Sequence, residues 1–386
     1  MYLQQERLIK PQGPTNNHLF HHIITLLKDL ISKPSFSGEE SYTATLIQCF
    51  LQNRWVETHR KLHNVWAFNR FYDPAKPTIL LNSHHDTVKP NSQYTRDPFT
   101  PSVAGDKLYG LGSNDAGGCL VALLATFLHF YDRPDLPYNL CYAATAEEET
   151  SGENGLKLIL PELGHLDFAI VGEPTLMNLA IAEKGLMVLD CIATGKSGHA
   201  AREEGDNAIY KALADIAWFS NFAFPKVSGT LGPVKMSVTL INGGIQHNIV
   251  PGTCSFAVDI RLTDAYTRDE ILQIVRQHVK STVTPRDFYL KPSAIDVNHP
   301  VVKAGWIAGC STYGSPTTSD QALLNIPSVK LGPGDSARSH MPDEYIFVSE
   351  IHNGIKVYTQ ILETLIFTLI NKTADCEGIT PNNFLN

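Results

Sequence analysis

Leu80-Leu81-Asn82-Ser83-His84-His85-Asp86-Thr87-Val88 decides the reading of this chain: a short apolar run ends in an imidazole, with a carboxylate two residues further on. An apolar run of that length predicts a buried strand. In open α/β sheets the carboxyl ends of strands are where sites form. A neutral imidazole nitrogen is a good metal ligand, and Asp86 stands where a carboxylate can orient such a ligand from behind. Read alone, the same residues are equally well a polar exit from a strand.

Working outward, other runs deliver acids in the same way. Leu140-Cys141-Tyr142-Ala143-Ala144 leads into Glu147-Glu148-Glu149, and Ile170-Val171 leads into Gly172-Glu173-Pro174. Like charges crowded at a strand exit are costly unless cations or water compensate them. Asp115, in Gly110-Leu111-Gly112-Ser113-Asn114-Asp115-Ala116-Gly117-Gly118, sits in a glycine-rich turn that opens a helix. There it can act as an N-cap, or its two oxygens can bridge cations about 3.5–4 Å apart. Leu331-Gly332-Pro333-Gly334-Asp335-Ser336-Ala337-Arg338-Ser339-His340 gathers glycine-rich backbone, a guanidinium and an imidazole. Each segment alone passes for an ordinary turn; the coincidence of five does not.

Helical patterns at 18–31, 39–52 and 117–131 alternate with apolar runs at 65–68, 78–82, 140–144 and 168–171, which predicts an α/β sheet. From about residue 179 the texture changes to β-branched segments at 187–194, 234–241 and 253–262 around helical stretches at 207–219 and 267–279. This predicts an α+β insert, so that 1–178 and 296–386 form one domain and 179–295 another. A long amphipathic helix at 349–370 closes the pattern. The 386 residues exceed what one core usually supports. With 31 Lys plus Arg against 39 Asp plus Glu, a formal charge of −8 and no basic run, nucleic acid is excluded as the expected partner. Seven cysteines without a CxxC pair read as reduced thiols. The leader MYLQQERLIKPQGP has no apolar run, and no segment approaches a membrane span. A cytoplasmic enzyme without a membrane partner is the expectation.

In their order along the chain, the HHD, GSNDAGG, AEEET, GEPT and GPG…SH…DE segments resemble the acetylornithine deacetylase and succinyl-diaminopimelate desuccinylase family of co-catalytic metallopeptidases, closest to the acetylornithine deacetylase branch. The resemblance implies an α/β fold: a mixed-sheet, zinc-peptidase-like catalytic domain with helices on both faces, plus an inserted α+β lid and dimerisation domain. It implies two divalent ions, Zn2+ or else Co2+, one on His84 and Glu173, the other on Glu149 and His340, with Asp115 bridging. Asp86 matches the family's orienting acid and Glu148 its general base.

In the insert, His199 matches a histidine that reaches the partner subunit's site in a homodimer and helps hold the oxyanion. Asn248 matches a substrate contact, and Arg261 a carboxylate clamp, which the backbone around Gly334 and the Arg338 guanidinium would supplement. Read without the family, these are a loop residue, a turn former and a strand charge. One departure is Ala116-Gly117-Gly118 where Met-Lys-Gly is frequent, which removes a positive charge. The peptide joining Asp115 to Ala116 is expected to be cis. The implied activity is removal of an acetyl or succinyl group from a small amino acid such as N-acetylornithine, in arginine biosynthesis. A dipeptidase or carboxypeptidase with the same metals, and a non-catalytic amino-acid-binding relative, stay open as alternatives.

Overall fold

The apolar runs form the middle of a nine-stranded mixed sheet in the computed structural model, which describes residues 16–376. The leader read above lies outside those residues. Strands follow one another across the sheet as His59–Lys61, Asn64–Phe68, Asn139–Thr145, Thr78–His84, Phe168–Val171, Ser328–Lys330, Leu179–Glu183 and Ser293–Ala294, with Thr312–Ser315 added to Leu179–Glu183. The four from Asn139–Thr145 to Ser328–Lys330 run parallel. Every residue of Thr78–His84 and Asn139–Thr145 is buried, as a parallel sheet covered on both faces requires.

The pleat sends alternate side chains to opposite faces. Ile79 and Leu81 pack into the core under helices Asn16–Ile31, Gly118–Phe130 and Val348–Cys376. Leu80, Cys141 and Ala143 pack on the other face against Leu156 and Ile159 of the short helix Leu156–Ile159. Register brings the parallel strands level at one edge: His84 pairs with Thr145, Asn82 with Val171, and Val171 with Lys330. All the acid-bearing exits therefore open on the same side.

A second, antiparallel sheet has the order Lys235–Gly243, Thr253–Leu262, Gly185–Thr194, Thr282–Leu290. Helices Ala208–Asn221 and Arg268–His278 share with it a separate core that includes Met187, Leu189, Phe219, Val258, Ile260 and Ile271. Leu179–Glu183 and Ser293–Ala294 fall inside 179–295 yet pair in the large sheet, through Ala180 with Lys330 and Glu183 with Ser293. A small third sheet joins Ser102–Ala104, Lys107–Tyr109 and Tyr345–Phe347, tying the approach to Asp115 to the segment after His340. The peptide from Asp115 to Ala116 is cis, as expected. Cys49, Cys119, Cys141, Cys191, Cys254 and Cys310 are free thiols, and among the described residues no helix is long and apolar enough to cross a membrane.

Candidate metal centre

His84 closes its strand with the imidazole 1 % exposed. Nδ1–H donates to the Asp86 carbonyl at 3.0 Å, which leaves the Nε2 lone pair pointing inward. Nε2 is buried and has no hydrogen-bond partner. It lies 3.4 Å from Asp115 Oδ1, 3.6 Å from Glu173 Oε1 and 4.0 Å from Glu148 Oε2. A buried nitrogen orphaned among carboxylate oxygens is costly as it stands and suits a shared cation. On the other side of Asp115, Oδ2 is 3.5 Å from His340 Nε2, which is 3.0 Å from Glu149 Oε2. Asp115 thus turns one oxygen toward His84 and Glu173 and the other toward Glu149 and His340. Among the described residues two groups of donors lie close enough to hold a metal ion, His84 with Glu148 and Glu173, and His84 with Asp115 and Glu149, and these donors fit divalent cations.

The protonation states agree. Burial raises the Glu173 carboxyl to about 8; His84 opposes that shift, Asp115 adds to it, and Lys330 opposes it. Burial likewise lifts Glu148 well above its usual range. His340 is raised to about 9, chiefly by its hydrogen bond to Glu149.

Two acids fix the turns that carry the ligands. Asp86 is fully buried; one oxygen accepts the Glu148 N–H at 3.1 Å, the other the Glu149 N–H at 3.1 Å and the Ser37 hydroxyl at 2.7 Å. Burial pushes its carboxyl up, but His84, Ser37 and the Glu149 N–H outweigh that and hold it below the usual range. Glu344, 2 % exposed, fixes the Asp115 turn in the same way, although burial and then Asp115 raise its own carboxyl to about 8. It accepts N–H groups from Gly112 at 3.0 Å, Asn114 at 2.8 Å and Asp115 at 2.9 Å. The helix Gly118–Phe130 starts directly after this turn, so its positive end also favours the Asp115 charge.

The departure at Ala116-Gly117-Gly118 has a steric side. A Cβ on Gly117 would stand 2.4 Å from the Gly112 carbonyl oxygen and 2.7 Å from Leu27 Cδ1. No longer side chain fits there without the turn moving. Gly334 is needed for a related reason: φ is +92°, and a Cβ would stand 2.5 Å from Asn114 Oδ1. This close approach seats the His340 loop on the Asp115 turn.

Two cavities meet at the acids. One, of about 230 Å3, is lined by Asp115, Glu148, Glu149, Glu173, Lys330 and His340 among others. The second, of about 280 Å3, adds Arg261, Leu186 and Leu290 from the smaller sheet, with Thr318 and Asp320. Arg261 therefore reaches the acid-lined space, whereas His199 and Asn248 do not. These two are exposed and sit together in the insert, where Asn248 accepts the Ala200 N–H through its carbonyl at 3.0 Å. Arg338, expected beside a substrate carboxylate, spends its fork on Glu350 at 2.9 and 2.6 Å, packed near the rings of Tyr345 and Phe347. That edge of the guanidinium is taken, and Arg338 lines neither of the two cavities.

Sequence reading missed four polar residues beneath the site. Glu344 lay within the DE segment and was not singled out. Glu40 accepts the Glu147 N–H at 3.1 Å and pairs with His63 at 2.6 Å. Asp320, raised to about 6 by burial, accepts the Thr145 hydroxyl at 2.8 Å. Lys330 pairs with Glu183 at 3.1 Å, both buried. None has a local pattern that separates it from a surface charge.

The family model described as peptidase family M20/M25/M40 matches residues 80–364. Among curated relatives, a succinyl-diaminopimelate desuccinylase of Ruegeria sp. is 25% identical, over 88% of this chain and 94% of its own. An acetylornithine deacetylase of Proteus mirabilis is 28% identical, over 88% and 96%. Among solved structures, an M20 family metallo-carboxypeptidase from Sulfolobus solfataricus aligns with a TM-score of 0.72 at 19% identity, covering 89% of this chain and 99% of that one. Human carnosine dipeptidase 1 aligns at 0.69 and 14%, covering 92% and 100%.

Proposed function

Because the chain belongs to peptidase family M20/M25/M40, a family of metal-dependent amide hydrolases, we propose that it removes an acetyl or succinyl group from a small amino acid such as N-acetylornithine. The observation that carries the reading is the buried, partnerless His84 Nε2 facing Asp115 and Glu173, with Glu148 4.0 Å away. In this reading His84 and Glu173 hold one cation and Glu149 and His340 the other, with Asp115 shared. Two divalent ions, zinc or else cobalt, would supply a water acidic enough to attack near neutral pH and polarise the acyl carbonyl.

The chain's own groups do the rest. Glu148 takes the proton of the attacking water and returns it to the leaving nitrogen, a task that needs a carboxylate beside the water rather than one spent on a cation. Asp86 holds the His84 ring and the N–H groups of Glu148 and Glu149, so ligand and base move together. Arg261 takes the substrate carboxylate, since a guanidinium suits it. Asn248 and His199, which sit together away from their own chain's cavity, both serve the site of a second copy, where Asn248 contacts substrate and His199 donates to the oxyanion. The stretch from Gly185 to Leu290 is the lid and dimerisation domain, a narrower span than 179–295 because its own sheet begins and ends there.

The competing reading is the same chemistry on a peptide bond. A zinc-loaded activity panel of acetylornithine, succinylornithine, acetylcitrulline, succinyl-diaminopimelate and simple dipeptides separates them. Preference for an N-acyl amino acid supports the proposal, and an ornithine derivative in first place supports a role in arginine biosynthesis. Preference for dipeptides, or inactivity on all, overturns it. Glu148→Gln is expected to lower turnover by about 10²–10⁴-fold with metal content unchanged; loss of metal would make Glu148 a ligand, a role its place beside His84 and Glu173 also allows.

A further inference from the structure

Arg261 lies at the inner end of the strand Thr253–Leu262, and its guanidinium is already half committed. Nε donates to Asp259 Oδ1 at 2.8 Å and Nη2 to Asp259 Oδ2 at 3.0 Å. Nη1 donates to Thr318 Oγ1 at 3.3 Å, and that hydroxyl donates onward to the Lys184 carbonyl at 2.7 Å. A guanidinium has two edges that can grip a carboxylate, Nε with Nη2 and Nη1 with Nη2. Asp259 occupies the first. The second faces Thr318, which lines the cavity shared with Glu148, Glu149 and His340.

We propose that Asp259 is a positioning residue for substrate: by taking the Nε–Nη2 edge of Arg261 it turns the Nη1–Nη2 edge into the acid-lined cavity, where it grips a substrate carboxylate. The inference rests on the reading of Arg261 as the carboxylate clamp. Asp259 and Arg261 are two residues apart on one strand, so both side chains leave the same face of the sheet. A long arginine side chain left alone samples many rotamers; the bidentate pair with Asp259 fixes its plane, and Thr318 fixes its tip from the other domain. A purely structural alternative comes from the neighbouring strand Lys235–Gly243. Lys235 stands directly opposite Arg261, and Asp259 would offset that repulsion.

Binding measurements on the zinc-loaded full chain separate the two. The probes are L-ornithine and L-ornithinamide, which differ in the carboxylate alone, titrated calorimetrically into wild type, Asp259→Asn and Arg261→Ala. Asp259→Ser serves as a second variant should the asparagine form fold poorly. The expected result is a loss of about tenfold in L-ornithine affinity for the Asp259 variants, with L-ornithinamide unchanged, and loss of the preference altogether in Arg261→Ala. Equal weakening of both probes would assign Asp259 the structural role and overturn the proposal. So would wild-type discrimination in Asp259→Asn alongside its loss in Arg261→Ala, an outcome that leaves the clamp standing. If Arg261→Ala discriminates like wild type, or wild type does not discriminate, the clamp and the proposal fall together.

Discussion

Asp86 and Glu344 are buried acids that spend their oxygens on the backbone of the turns carrying Glu148, Glu149 and Asp115. Their effect on a metal is therefore indirect. Glu344→Gln replaces one acceptor oxygen with a donor facing the N–H groups of Gly112, Asn114 and Asp115, so the Asp115 turn must shift. Loss of such outer support typically costs about 10–100-fold in metal affinity. That is the expected drop in a competition titration against a zinc chelator, and an unchanged affinity would refute this role for Glu344.

His85, next to a ligand yet facing away from it, makes a separate statement about pH. Nε2–H donates to the His63 carbonyl at 2.9 Å, Nδ1 contacts the Thr43 hydroxyl at 2.9 Å, and burial lowers its pKa to about 4. The unfolded chain binds this proton near 6.5, so between 6.5 and 4 the unfolded state carries more protons. The contribution to stability is whole above about 6.5 and is lost as pH falls toward 4, at most about 3 kcal/mol. In metal-free protein, His85→Gln should flatten the fall of the unfolding free energy with pH across that window; parallel curves for the two proteins would refute the assignment.

At the scale of elements, the helix Arg268–His278 opens with a complete capping box. Thr267 Oγ1 accepts the Glu270 N–H at 3.2 Å, and the Glu270 carboxylate accepts the Thr267 N–H at 2.8 Å. Thr267→Ala should lower the unfolding free energy by about 1 kcal/mol, read as a lower urea midpoint at unchanged slope, with zinc content unaffected. Elements of this kind are readable because their signals are local. The strands Thr78–His84, Asn139–Thr145 and Phe168–Val171 carry unbroken apolar runs at 79–81, 140–144 and 168–171, and the helix Gly118–Phe130 follows its glycine turn within a few residues.

What the sequence hid depends on distant partners. Leu179–Glu183 looks like the start of the insert until Ala180 is found beside Lys330, 150 positions away. Thr282–Leu290 carries Pro285-Arg286-Asp287 at an irregularity, which obscures its alternation. The strands of the small sheet are three residues each, too short to show a period. The same limit separates the metal-facing acids from their supports. His84, Glu148, Glu149 and Glu173 announce themselves by leaving apolar strands, whereas Glu40, Asp320 and Glu344 sit in turns where acids are ordinary.

For the whole molecule, the free edge of the smaller sheet carries exposed apolar side chains. The strand Lys235–Gly243 is an edge, hydrogen-bonded on one side to Thr253–Leu262. Leu240 and Ile241 on it are 62 % and 55 % exposed, and Ile245 just beyond is 90 % exposed. On the neighbouring helix Ala208–Asn221, Tyr210 and Leu213 are 71 % and 49 % exposed. An apolar, unpaired edge invites another chain unless something covers it, and a second copy of the same edge, related by a two-fold axis, is self-complementary. His199, exposed and away from the cavity of its own chain, then serves a partner's site. Sedimentation equilibrium should therefore find a dimer, and Leu240→Asp with Ile241→Asp should give a monomer that keeps its zinc but loses turnover. Retained turnover in that monomer would remove His199 from the reaction, and a monomeric wild type would remove the shared edge.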